Sequence, residues 1–146
     1  MSLSPEEYRE HLQSTSVRAG FNFAEVPLPE ERHAQVNGLR FRYLDWGTEG
    51  KRPILFLHGG ALTAHTWDLC CLALRDDFHC LALDQRGHGD SDWAPDADYT
   101  LSAQRDDIKG FAEALDSGSA ISRRPRPNRP RPPSRACPHP ARRRPR

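Results

Sequence analysis

From Leu39 to Tyr43 apolar and charged positions alternate, with Leu39, Phe41 and Tyr43 set against Arg40 and Arg42. A period of two puts each set on its own face of a strand, one buried and one wet. Asn37-Gly38 separates this run, Leu39–Asp45, from His33–Val36. Both central residues of a two-residue hairpin turn need positive φ, which Asn and Gly adopt most readily, so the two runs predict an antiparallel pair. The pattern then changes. Ile54–Leu57 and Phe78–Leu83 are short apolar runs without alternation. That is the signature of strands buried on both faces, as in a parallel sheet.

Helical spacing fills the gaps between these runs. A helix is predicted from about Ala64 to Arg75, capped by Thr63, with Trp67, Cys71 and Leu74 on one face. A second is predicted from Thr100 to Asp116, with Leu101, Ile108, Phe111, Ala112 and Leu115 as its apolar stripe. Ser4-Pro5-Glu6-Glu7 carries a cap, a proline at the first helical position and a Glu three after the cap, so a short helix should run to about Gln13. Residues 14–31, with Pro27 and Pro29, read as irregular. The order hairpin, strand, helix, strand, helix predicts an α/β fold: an antiparallel hairpin, then parallel strands with helices on both faces. Ligands bind such sheets at the carboxyl ends of the strands. Two glycine turns lie there, His58-Gly59-Gly60 and Asp84-Gln85-Arg86-Gly87-His88-Gly89.

Charge divides the chain. Residues 1–116 carry all 20 acidic residues and 11 of the 21 Lys and Arg, a formal −9; residues 117–146 carry the other 10, all Arg, a formal +10. The second segment also holds 8 of the 13 prolines and too few apolar residues to offset the entropy of ordering it, so disorder is predicted there. The organisation expected is an N-terminal helical extension over 1–19, a folded unit over 20–116 and a basic tail over 117–146. Met1 to Glu10 is polar and acidic, unlike a signal peptide, and no apolar run approaches the ~20 residues of a membrane helix. Cys70, Cys71, Cys80 and Cys137 show no metal spacing, and the first three read as buried hydrophobes in a reduced cytoplasm.

Three segments together resemble the α/β-hydrolase family. They are the Asn37-Gly38 hairpin, the strand ending in His58-Gly59-Gly60, and Asp84-Gln85-Arg86-Gly87-His88-Gly89-Asp90-Ser91, the last two some 26 residues apart around a helix that bears Trp67. The likeness covers about residues 20–116 and looks closest to the esterase, lactonase and carbon–carbon-bond hydrolase branch. It implies that the backbone N–H of Gly60 is an oxyanion-hole donor; a fixed N–H aimed at the developing charge is worth about 10²–10³ in rate. Taken alone, Gly59-Gly60 reads first as a tight strand exit; the second motif beside it turns the reading to the oxyanion role. The resemblance makes His58 a structural residue that holds the loop, and His88 a residue that shapes the turn or the pocket edge. Asp84 reads as an anchor for the turn that follows it. Arg86 reads as the partner of a carboxylate or as a solvated loop residue, and Trp67 as pocket lining or core. His65 and His79 carry no motif.

The family mechanism also needs a nucleophile elbow, usually Gly-x-Ser-x-Gly, then an acid and a histidine. After Asp116 the chain instead gives Ser117-Gly118-Ser119-Ala120-Ile121-Ser122 and repeated Arg-Pro, with neither the apolar strand nor the closing glycine. His139 lies between prolines and is no triad member. The expectation is that residues from about Ser117 are a frameshifted reading of a full-length hydrolase gene, since out-of-frame GC-rich codons yield Arg, Pro, Ala and Ser. The alternatives are a truncated natural form and a genuine basic tail. The triad would then be absent and the chain inactive as written, with Ile54–Leu57 left as an exposed edge prone to aggregation. The resemblance implies that the complete form hydrolyses a small-molecule ester, lactone, amide or carbon–carbon bond through a Ser nucleophile, with no cofactor or metal. A dehalogenase or epoxide hydrolase would use the same fold with an Asp nucleophile, and the missing elbow residue would separate the two. The competing reading is a non-catalytic fragment whose tail binds nucleic acid, nonspecifically and with strong salt dependence, or a proline-recognition domain.

Overall fold

The computed structural model describes residues 3–47 and 50–116. Its elements are α1 (Pro5–Arg18), β1 (Glu30–Val36), β2 (Leu39–Asp45), β3 (Pro53–Leu57), a 3-10 turn (Ala64–Trp67), α2 (Asp68–Leu74), β4 (His79–Leu83) and α3 (Leu101–Asp116). The readings for residues 117–146, including the disordered basic tail, lie outside the described residues.

Asn37 and Gly38 take φ of 50° and 79°, so the hairpin closes as its turn chemistry requires. Register runs from Val36 opposite Leu39 to Glu30 opposite Asp45. The sheet order is β1-β2-β4-β3, with β2 and β4 antiparallel and β3 and β4 parallel. The two carboxyl ends of β3 and β4 therefore lie side by side, with Leu57 level with Leu83. Helices cover both faces. On one, Leu12 of α1 and Cys71 and Leu72 of α2 join Leu44, Trp46, Cys80 and Ala82. On the other, Phe111 of α3 packs on Phe41, Tyr43, Leu81 and Leu83, its ring edge-on to Tyr43 at 5.1 Å.

Four expectations are corrected. Helix α1 has its capping box at Ser4 and Glu7, yet it runs to Arg18 rather than Gln13. Ser14 and Ser16, weak helix formers in isolation, donate their hydroxyls to the carbonyls of His11 and Gln13, and Ser16 is fully buried. The helix foreseen over 64–75 begins instead as the 3-10 turn, and the Thr63 side chain makes no cap. The polar face of β2 is not wet: Arg42 is only 5% exposed. Strand β3 is half-buried rather than enclosed, because among the described residues it is an edge of the sheet.

Candidate oxyanion-hole site

The loop from His58 to Thr63 leaves the end of β3 and is fastened at both ends to the exit of β4. At the first end the Gln85 backbone N–H donates to His58 Nε2 at 3.0 Å, and the Gln85 side-chain amide donates to the His58 carbonyl. A backbone N–H can only donate, so Nε2 is the bare nitrogen and the proton sits on Nδ1, which donates to the Gly59 carbonyl at 2.8 Å. His58 is thus a neutral, 5% exposed brace, with no nitrogen left to act as a base. At the other end the Ala64 N–H donates to Asp84 Oδ1 at 2.7 Å.

Asp84 is the centre of the second turn and is fully buried. Its Oδ2 accepts from Arg42 Nη1 at 3.0 Å and from the Asp90 N–H at 3.3 Å. Ser91 completes the frame: its hydroxyl donates to the Asp84 carbonyl at 2.6 Å and accepts from the Arg42 N–H at 2.9 Å. Gly89 has to be glycine, since a Cβ there would lie 2.1 Å from Asp84 Oδ2 at a φ of 52°. Burial works against the Arg42 charge, but Glu31 and Asp84 outweigh it and hold the guanidinium firmly protonated.

Between its fastened ends the loop has one long turn contact, from the Leu62 N–H to the Gly59 carbonyl at 3.3 Å. The Gly60 N–H makes no hydrogen bond to any described residue. Gly60 is exposed, and a Cβ added to it would meet nothing within 4 Å, so open space adjoins the donor. The positive φ of the loop falls not on either glycine but on Ala61, at 62°. A non-glycine residue there stores about 1–2 kcal/mol of strain, which the fixed ends must hold.

The other candidates divide. His88 lies at the site: its ring is 4.9 Å from that of His58, and its Nδ1 bonds the Arg86 carbonyl at 3.0 Å. Arg86 faces away. It forms a two-point bond with Asp107 of α3 and donates to the carbonyls of Asp98 and Ala103. Of its two readings the paired one holds, and it ties α3 to the sheet. Trp67 packs at 5.4 Å on Phe56 beside the α1/α2 core, which favours its core reading.

Sequence reasoning missed His65. Arg42 Nη2 donates to His65 Nε2 at 3.2 Å, and His65 Nδ1 lies 3.0 Å from Asp68 Oδ2 and 3.1 Å from the Tyr8 hydroxyl. Tyr8 in turn donates to Asp68 Oδ2 at 2.7 Å. Burial first, and then the Asp68 charge, push the Tyr8 phenol well above its ordinary range. No local motif could have found this cluster, because its members come from α1, β2, the 3-10 turn and α2. Among the described residues no serine or cysteine hydrogen bonds to a histidine, and no group of three His, Cys, Asp or Glu could hold a metal ion.

The chain is 38% identical over 89 residues to the esterase Rv0045c of Mycobacterium tuberculosis, covering 61% of this chain and 27% of the esterase. It is 39% identical over 83 residues to N-formylmaleamate deformylase of Pseudomonas putida, covering 57% of this chain and 31% of that enzyme. Among solved structures, epoxide hydrolase A from Mycobacterium thermoresistibile superposes with a TM-score of 0.56 at 31% identity, over 60% of this chain and 28% of that one. The chain thus spans about a third or less of the length of these relatives. The model of the alpha/beta hydrolase family matches residues 54–134, more than half of the chain, and the chain belongs to that family.

Proposed function

We propose that this chain carries the oxyanion-hole half of a hydrolase that, in its complete form, cleaves an ester, lactone, amide or carbon–carbon bond through a Ser nucleophile. One observation carries the reading: the Gly60 N–H is unbonded within the described residues, beside open space, on a loop fixed at both ends. Acyl transfer builds charge on a carbonyl oxygen, and a donor already oriented needs no reorganisation to meet it. His58 and Asp84 fix the loop rather than act on substrate. The described residues supply no nucleophile, acid or base; we read residues from about Ser117 as a frameshift of the sequence that would supply them, a reading that the family match out to residue 134 opposes and that the DNA must decide.

Relatives named as esterase, deformylase, epoxide hydrolase and haloalkane dehalogenase share this portion of chain. The oxyanion loop alone therefore does not choose between Ser and Asp chemistry, whereas the elbow residue does. Resequencing the coding DNA across codons 110–146 and translating all three frames is the test. An apolar strand followed by Gly-x-Ser-x-Gly in another frame supports the proposal. An Asp at the elbow would move the chemistry to the epoxide-hydrolase and dehalogenase type. If no frame restores an elbow, the hydrolase reading of this chain fails.

A further inference from the structure

The polar cluster around His65 is not used by the chemistry above, yet it ends on the loop that carries Gly60. Its path can be followed bond by bond. The Tyr8 hydroxyl on α1 donates to Asp68 Oδ2 at 2.7 Å. Arg42 is a permanent donor, so His65 Nε2 accepts from it and the ring proton sits on Nδ1, facing the same Asp68 oxygen at 3.0 Å. Arg42 also bonds Asp84 Oδ2, and Asp84 Oδ1 takes the Ala64 N–H at the loop's end. Asp68 Oδ1 has no partner among the described residues, so this carboxylate is held through Oδ2 alone. The Tyr8 ring stands edge-on to the His65 imidazole at 5.3 Å, which adds a packing contact at the same point.

We propose that helix α1 is a latch on the oxyanion loop, and that Tyr8 is a positioning residue acting through Asp68 and His65 on the 3-10 turn that begins at Ala64. The proposal deepens the reading of Gly60 and rests on it for its relevance to catalysis. Its physical content is independent: α1 restricts the loop whether or not Gly60 meets a substrate. The remainder of α1 supports this geometry, because Leu12 is 2% exposed against the core that α2 also covers.

The test is amide hydrogen exchange and ¹⁵N relaxation on the full chain, comparing it with Tyr8→Phe, Asp68→Leu and the double variant. Tyr8→Phe removes one oxygen and keeps the ring, so the helix stays docked. The Ala64 amide should exchange about tenfold faster in Tyr8→Phe, and Gly60 and Ala61 should gain fast motion, while the β1–β2 hairpin amides stay unchanged. A hydroxyl that merely added global stability would speed loop and hairpin alike, and that result overturns the proposal, as does no change at Ala64. In the Asp68→Leu background, which has no acceptor for it, the hydroxyl should have no further effect on Ala64; a persisting effect overturns the route through Asp68. The readout needs no substrate, so a failed latch leaves the assignment of Gly60 standing, and an inert Gly60 leaves the latch standing.

Discussion

Replacing Asp84 by Asn is the sharpest perturbation of this structure. The change is nearly isosteric and removes one charge and one acceptor. Asp84 is fully buried and its partner Arg42 almost so, at 3.0 Å. At that separation and an effective dielectric near 20 the gross attraction is about 5 kcal/mol, which desolvation of the two ions partly cancels. Arg42 keeps Glu31 at 3.1 Å, but that carboxylate is half exposed and contributes less. The hydrogen bonds add a second loss. Oδ1 accepts from Ala64, and Oδ2 from both Arg42 and Asp90. Whichever way the amide points, its NH2 confronts a donor, so at least one bond to a charged acceptor disappears, at about 1.5–3 kcal/mol. The net expectation is about 3–5 kcal/mol. A domain of this size has about 5–15 kcal/mol in all and shifts its Tm by ~4–8 °C per kcal/mol.

Thermal and urea unfolding followed by circular dichroism should therefore show Tm falling by about 12 °C or more. A double variant, Arg42→Met with Asp84→Asn, should be less damaging than Asp84→Asn alone, since the amide oxygen still serves the Ala64 N–H and no buried guanidinium is left stranded. If Asp84→Asn melts within about 4 °C of the parent chain, the buried pair is not what fastens the two turns together, and the argument built on it fails.

Three further outcomes follow. Arg86→Lys loses the two-point bond to Asp107 and should cost about 1.5–3 kcal/mol in urea denaturation, with the earliest exchange in α3; a loss spread evenly over the sheet amides would contradict this role. Burial first, then Arg40, holds His33 below the ordinary histidine range, so the unfolded chain takes up this proton before the folded one. Stability should fall as pH drops through about 6.5 and level off below the folded pKa; in His33→Gln this slope between about pH 7 and 5 should flatten, and an unchanged slope would refute the assignment. Ile54 lies on the edge strand β3 and belongs to neither core cluster, so Ile54→Lys should reduce light scattering on heating by placing a solvated charge on that edge. A parent chain that melts sharply as a monomer would remove the reason for that change.

What could be read from sequence was local chemistry. The Asn37-Gly38 turn, the Phe111 and Leu115 positions of the α3 stripe (but not its first member, Leu101, which is 84% exposed) and the two glycine turns all depend on residues close together in the chain. What could not be read depends on partners from other elements. The alternation in β2 assigns Arg42 to solvent, and only the fold reveals that Glu31 and Asp84 neutralise it and allow its burial. The break in the helix over 64–75 has the same origin: the donor at its start is satisfied by Asp84 rather than by Thr63. His65 carries no motif because its meaning lies in Tyr8, Arg42 and Asp68.

The two glycine turns therefore form one unit rather than two neighbouring signals. Parallel pairing of β3 with β4 sets their exits level, which lets Gln85 reach His58 and Asp84 reach Ala64. Every strong bond in the unit lies at an end of the 58–64 loop, and the middle has only a weak turn contact from Leu62 to the Gly59 carbonyl at 3.3 Å. Strain at Ala61 would relax if either end were free, so the fixed ends are the condition for the strained centre. A donor held this way keeps its direction without spending its hydrogen on another described residue, which is what the proposed oxyanion role would ask of a backbone N–H. The rigidity belongs to buried Asp84 and His58, while the bare N–H belongs to Gly60. Substitutions at the first two should thus alter loop geometry and stability together, whereas loss of the Gly60 N–H alone should leave the fold intact.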